Sequence, residues 1–184
     1  IDGLDVQLAQ FGSLVAEARN RMVSALNHRL RQSDSQIFAT PAVELADGQL
    51  HGEEQLQRML QQNRSADRAA GRTIRGPHRT DLNVFHSAKQ QPAEKCSTGE
   101  QKALLFSIIL AHADLIAERR DSRPILLLDE VAAHLDPQRR AALFGKLEER
   151  GGQVWLTGTE PELFRDIPED ALHFEVSDGS VTPR

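Results

Sequence analysis

Ile125-Leu126-Leu127-Leu128-Asp129-Glu130 is the stretch on which the reading of this chain turns. Four aliphatic residues run into two acids, with Pro124 ahead of them. An apolar run this short predicts a strand buried on both faces of a parallel sheet. The acids then fall at the strand's C-terminal end, where open α/β sheets bind ligands. An Asp-Glu pair there suits nucleotide hydrolysis. Asp129 would hold Mg2+ directly or through water, and Glu130 would orient and polarise the attacking water. A buried strand ending in a solvated acidic turn fits the hexapeptide equally well.

Upstream lies Cys96-Ser97-Thr98-Gly99-Glu100-Gln101, followed by Lys102-Ala103-Leu104-Leu105. Ser97-x-x-Glu100 has the form of a capping box at a helix N-terminus. Leu104, Leu105, Ile108, Ile109, His112, Leu115 and Ile116 then recur at the spacing of a mostly buried helix. Such an N-terminus presents free N–H groups and partial positive charge to phosphate oxygens, and Gly99 allows close backbone approach. Alone, the segment reads better as an ordinary capped core helix.

Together the two segments are more specific. Ser97 to Gln101 resembles the signature sequence of ABC-type ATPases, and Ile125–Glu130 resembles their Walker B strand. Ala132-Ala133-His134-Leu135-Asp136 stands where their D-loop does, and Val154-Trp155-Leu156-Thr157-Gly158-Thr159 resembles the next strand with its switch position. Within that superfamily the wording of these motifs, with Gly76-Pro77-His78-Arg79-Thr80-Asp81-Leu82, resembles the RecF family of bacterial recombination and gap-repair ATPases. The resemblance covers at least Gly71 to Val176. It implies an α/β fold: residues 71–184 as the C-terminal half of an ABC-type ATPase head, a parallel or mixed sheet with flanking helices. Residues 1–70 would be a helical arm subdomain, part of an inserted lever.

The resemblance also implies a division of labour. Ser97, Thr98, Gly99 and Glu100 would meet ATP held by a partner subunit, so that ATP drives homodimerisation. Asp129 would serve the subunit's own Mg2+, Glu130 would be the catalytic base, and Asp136 would bridge subunits. Thr157 and Thr159 occupy the switch region, where transporter-type members carry a His. A hydroxyl can donate a hydrogen bond but carries no charge near neutral pH, which suits slow hydrolysis by a clamp. Thr98 departs from the usual Gly at the second signature position. Implied partners are double- and single-stranded DNA at gaps and junctions, and the mediators RecR and RecO, which help load recombinase. Two other readings are an SMC-like or nuclease-linked ATPase head and a non-catalytic interaction domain that kept the fold.

No G-x-x-x-x-G-K-[ST] occurs; Gly145-Lys146 is followed by Leu147. The phosphate-cradling loop is therefore expected outside this chain, and the chain alone is expected not to hydrolyse ATP. A start at Ile1 without Met fits a fragment.

The 184 residues carry a net charge of −5, which argues against DNA coating the whole surface. Charge is unevenly placed. Six Arg (58, 64, 68, 72, 75, 79) face one acid, Asp67, between positions 58 and 79, while seven acids face Arg165 between 160 and 178. Arg64, Arg68, Arg72 and Arg79 are candidate DNA contacts; a solvated, locally paired surface is the plainer reading. Cys96 is the lone cysteine, which excludes an internal disulfide and fits a reducing cytoplasm. No apolar run approaches 20 residues, so no membrane partner is expected.

Along the chain, Leu4, Leu8, Phe11, Val15, Ala18, Met22 and Leu26 form one stripe of a long amphipathic helix. Ile37-Phe38-Ala39 and Val43-Glu44-Leu45 read as extended pieces, and Asp47-Gly48 as a turn. Glu53 to Ala70 predicts a helix ended by Gly71. Two strand pieces are expected around Gly76-Pro77-His78-Arg79. After Asp136, Pro137 opens a helix that Gly151-Gly152 stops. A last hairpin turns at Asp178-Gly179.

Overall fold

The computed structural model describes residues 2–32, 39–46 and 52–183. The elements run α1 (Asp2–Gln32), β1 (Pro41–Leu45), α2 (Glu53–Ala70), β2 (Leu82–His86), β3 (Gln91–Pro92), α3 (Thr98–Arg120), β4 (Leu126–Leu128), α4 (Pro137–Arg150), β5 (Val154–Leu156), β6 (Phe174–Ser177) and β7 (Ser180–Pro183). Short 3-10 turns lie between several of them. Described residues through Leu115 form one compact unit and those from Ile116 onward a second.

In the first unit α1 and α2 pack through small residues. Ala9, Leu56 and Leu60 are buried together, with Met59 against them. Gly12 lets the helices close in, because a Cβ there would stand 2.6 Å from Leu56 Cδ2 and 3.0 Å from Pro77 Cγ. Burying a Leu side chain contributes about 1.5–3 kcal/mol, so this contact anchors α2. The helix ends as its sequence dictates: Gly71 takes φ 64° and its N–H bonds the Arg68 carbonyl. The expected stripe on α1 is only half right. Leu4, Leu8, Phe11 and Val15 are exposed, whereas Asp5 and Ala9 are buried, and the stripe reaches a core only at Leu26, joined by Leu30, Val43 and Ala111. The small residues win the helix contact because they permit the closer approach.

β1, β2 and β3 form an antiparallel sheet in that order, with Val43 opposite Val84 and Pro41 opposite His86. α1 takes part in it through Asn27. Its side-chain amide donates to the Val43 carbonyl at 2.6 Å and accepts from the Val43 N–H at 2.9 Å, replacing a strand neighbour. Arg29 on α1 bonds the buried Asp114 on α3 at 3.0 Å. Of the expected extended pieces, Val43-Glu44-Leu45 lies in β1; Ile37-Phe38 and the Asp47-Gly48 turn lie outside the described residues. Thr73 to Arg75 is no strand. Asp67 captures the chain there, its carbonyl accepting from Arg72 N–H and its Oδ1 from Ile74 N–H.

In α3 the buried side is Ala103, Leu104, Phe106, Leu110, Ala111, Ala113 and Asp114. Leu105 and His112, expected inside, are exposed.

In the second unit β4 and β5 pair in parallel, Leu126 opposite Val154 and Leu128 opposite Leu156, with α4 between them in sequence. The expectation of a strand buried on both faces is corrected: Leu128 is buried, but Leu127 is 75 % and Ile125 59 % exposed. The pleat sends alternate residues to opposite faces, and this chain covers one of them. Trp155 stacks on Phe174 at 6.2 Å between ring centroids, linking β5 to the β6–β7 hairpin. That hairpin turns at Asp178 (φ 48°) and Gly179 (φ 75°), the two positive angles a two-residue type I′ turn requires. Among the described residues no helix is long and apolar enough to cross a membrane.

Candidate functional site

The expected site residues fall into two clusters, one in each unit. The first is the start of α3. Ser97 precedes the helix and forms the capping box with Glu100: Ser97 N–H and Oγ each donate to Glu100 Oε2 at 3.1 Å, and Glu100 N–H donates back to Ser97 Oγ at 3.4 Å. Lys89, in the turn between β2 and β3, forms an ion pair with Glu100 Oε1. The Lys89 ammonium, followed by the Ser97 N–H, holds the Glu100 carboxyl down to about 2. Ser97 and Thr98 are exposed, and Gly99 is half-buried. The helix start is therefore braced by its own capping box and open to solvent; the Ser97 and Glu100 N–H groups are taken by the box, so the Thr98 and Gly99 N–H groups are those that suit a phosphate. Lys89 had no signal in the sequence, since the β2–β3 turn alone brings it to the signature segment.

The second cluster lies at the C-terminal end of β4. Thr157 N–H donates to the Leu128 carbonyl at 3.1 Å, extending the β4–β5 ladder by one bond. The Thr157 hydroxyl donates to Asp129 Oδ1 and accepts from the Glu130 N–H, at 3.2 Å. Glu130 itself stands at φ 52°. A non-glycine residue in that region costs about 1 kcal/mol or more and persists where its surroundings impose it. Asp129 is exposed and Glu130 half-buried, so both can meet a solvent-borne ligand. Asp129 would offer a hard oxygen to Mg2+, which usually completes its shell with waters and substrate phosphates.

Asp136 is the N-cap of α4. Its Oδ1 accepts from Arg139 N–H at 2.9 Å and its Oδ2 pairs with the Arg139 guanidinium at 3.2 Å. Arg139 was missed, although its i, i+3 spacing from Asp136 is visible in the sequence. Thr159 is exposed on the loop after β5. Gly158 between the two threonines lies under Phe164; a Cβ would stand 2.7 Å from the ring. Among the candidate DNA contacts, Arg64 forms an ion pair with the buried Asp5, whereas Arg68, Arg72 and Arg79 are exposed.

Residues 4–157 match the protein family described as "AAA domain, putative AbiEii toxin, Type IV TA system". The chain belongs to this family of ATPase domains. Over nearly its whole length it is also similar to proteins named DNA replication and repair protein RecF. The RecF of Brucella abortus (strain 2308) is 49 % identical over 99 % of this chain, and that of Rhizobium rhizogenes (strain K84) 45 % over 98 %. The chain spans about half the length of these relatives, 50 % in both cases. The fold agrees. A solved structure of the recombination mediator protein RecF with ATP, from the RecFOR pathway, is 24 % identical with a TM-score of 0.79, over 100 % of this chain and 50 % of that one. A structure from work on ATP-driven dimerisation of SMC ATPases is 13 % identical with a TM-score of 0.53, over 92 % of this chain and 88 % of that one. The fold is therefore that of RecF and SMC-type ATPase heads.

Proposed function

We propose that this chain is the half of a RecF-type ATPase that carries the signature segment and the Walker B acids, acting in repair of gapped DNA. The observation that carries the reading is the Asp129–Glu130–Thr157 cluster at the C-terminal end of a parallel strand, in a chain whose relatives are repair proteins twice its length.

In this reading residues 1–70 belong to a helical arm and 71–184 to the ATPase head. ATP with Mg2+ supplies an electrophilic γ-phosphorus whose charge the metal helps neutralise. Asp129 holds the metal, and Glu130 orients the attacking water. Ser97, Thr98, Gly99 and the N-terminus of α3, with Glu100 bracing the turn, contact the γ-phosphate of ATP bound to a second subunit. ATP thereby closes a homodimer on DNA, and slow hydrolysis reopens it. Asp136 lies near the subunit junction while capping α4. Arg68, Arg72 and Arg79 touch DNA phosphates, and RecR and RecO are the mediator partners of a cytoplasmic protein. The exposed Ile125, Leu127 and Trp155 lie against the remainder of the head.

A mixing experiment on the intact protein tests the trans arrangement. Ser97→Arg and Glu130→Gln are each expected to abolish most phosphate release. A mixed dimer pairs an intact Walker B site of one subunit with an intact signature of the other, so combining the two inactive variants restores activity. No recovery on mixing contradicts action in trans.

A further inference from the structure

Thr157 and Thr159 share the switch region, and either hydroxyl could reach a γ-phosphate. The geometry points to different tasks: Thr157 is a positioning residue that sets Asp129 and Glu130 through one hydroxyl. This inference rests on the ATPase reading above.

A threonine hydroxyl has one proton to give and two lone pairs. At Thr157 the proton goes to Asp129 Oδ1, and a lone pair receives the Glu130 N–H. The hydroxyl is thus committed to the two acids and has no second proton for a phosphate oxygen. Its backbone is held as well, because Thr157 N–H bonds the Leu128 carbonyl. A β-branched side chain on a fixed backbone has few rotamers, so the hydroxyl is placed by the β4–β5 pairing itself. Two consequences follow at the acids. The bond to Oδ1 restricts the rotation of the Asp129 carboxylate, whose other oxygen would then be the one to hold a cation. The bond from the N–H stabilises Glu130 at φ 52°, a conformation its own side chain disfavours. Groups that orient a metal ligand typically matter 10–100-fold in affinity or activity. Past Gly158, which lies close under the Phe164 ring, the exposed Thr159 is left as the hydroxyl for phosphate.

The test uses the intact protein and the variants Thr157→Val, Thr157→Ser, Thr157→Ala and Thr159→Val, with Asp129→Asn and Glu130→Gln as references. Phosphate release is followed against Mg2+ at saturating ATP and against ATP at saturating Mg2+. Metal affinity is measured without turnover by Mn2+ electron paramagnetic resonance titration in the presence of a non-hydrolysable ATP analogue, where Thr157→Val should weaken Mn2+ binding and Thr159→Val should not. Thr157→Val is expected to lower kcat about tenfold or more and raise the Mg2+ needed for half-maximal rate about fivefold, with KM for ATP nearly unchanged. Thr157→Ser should restore both, because it restores the hydroxyl. Thr159→Val should raise KM for ATP and leave the Mg2+ dependence alone. Thr157 is exposed, so Val disturbs no core; should it still unfold the protein, Thr157→Ala is read the same way. A Thr157→Val variant with wild-type Mg2+ dependence, or a Thr157→Ser variant as poor as Val, overturns the inference while the references remain inactive. References that turn over like wild type overturn the ATPase reading itself.

Discussion

Glu130 gives its backbone N–H to the Thr157 hydroxyl at 3.2 Å while standing at φ 52°. The residue read as the catalytic base thus occupies a strained backbone position, held by the side chain that directly follows the neighbouring strand.

The strain has a measurable sign. Glycine adopts this angle freely, alanine does not. Glu130→Gly and Glu130→Ala should both be inactive, yet the Gly variant should be the more stable of the two by about 1 kcal/mol in denaturant unfolding. Equal stabilities, or a more stable Ala variant, would show that the positive angle imposes no cost.

The signature turn should respond to acid. Glu100 titrates at about 2 instead of the ordinary 4.5, chiefly because of Lys89. A carboxylate lowered in the folded state contributes stability that is fully present above about 4.5 and disappears as pH falls towards 2. Lys89→Met should move the Glu100 titration, followed by carboxyl NMR shifts, upward towards 4.5. An unmoved titration would assign the effect to Ser97 alone.

How much of this was legible beforehand differs from place to place. The ends of α2, the capping box at Ser97 and Glu100, the Asp136-Pro137 start of α4 and the Asp178-Gly179 turn all rest on interactions within a few residues, and each was readable. The buried side of α1 was not. Hydrophobic spacing singled out Leu4, Leu8 and Phe11, whereas the packing selects Ala9 and Gly12, whose value is their small size. The roles of Thr157 and Arg64 depend on partners 28 and 59 residues away, Asp129 and Asp5, which no local pattern encodes. The sequence placed all the site motifs in order. It did not reveal that one hydroxyl serves both acids.

Gly12 offers a prediction opposite in sign to helix propensity. Gly to Ala inside an exposed helix ordinarily gains about 1 kcal/mol. Here the new methyl would meet the fully buried Leu56 at 2.6 Å. Overpacking of this kind costs about 1–3 kcal/mol, so Gly12→Ala should lower stability in thermal unfolding. An unchanged or raised melting temperature would mean the α1–α2 contact is looser than described.

The arginine surface makes a prediction about salt. Arg68 and Arg72 are exposed, while Arg64 is engaged with Asp5. Arg68→Gln and Arg72→Gln should each weaken DNA binding and reduce the slope of log affinity against log salt by about 1. Unchanged slopes would place the DNA elsewhere.

The most direct measurement uses the intact protein, wild type beside Glu130→Gln. Dimer formation is followed by light scattering with ATP and Mg2+, with and without gapped duplex DNA, and phosphate release is recorded in parallel. The account predicts a variant that hydrolyses poorly yet stays dimeric with ATP. A variant that hydrolyses like wild type, or the failure of both proteins to associate with ATP, would contradict it.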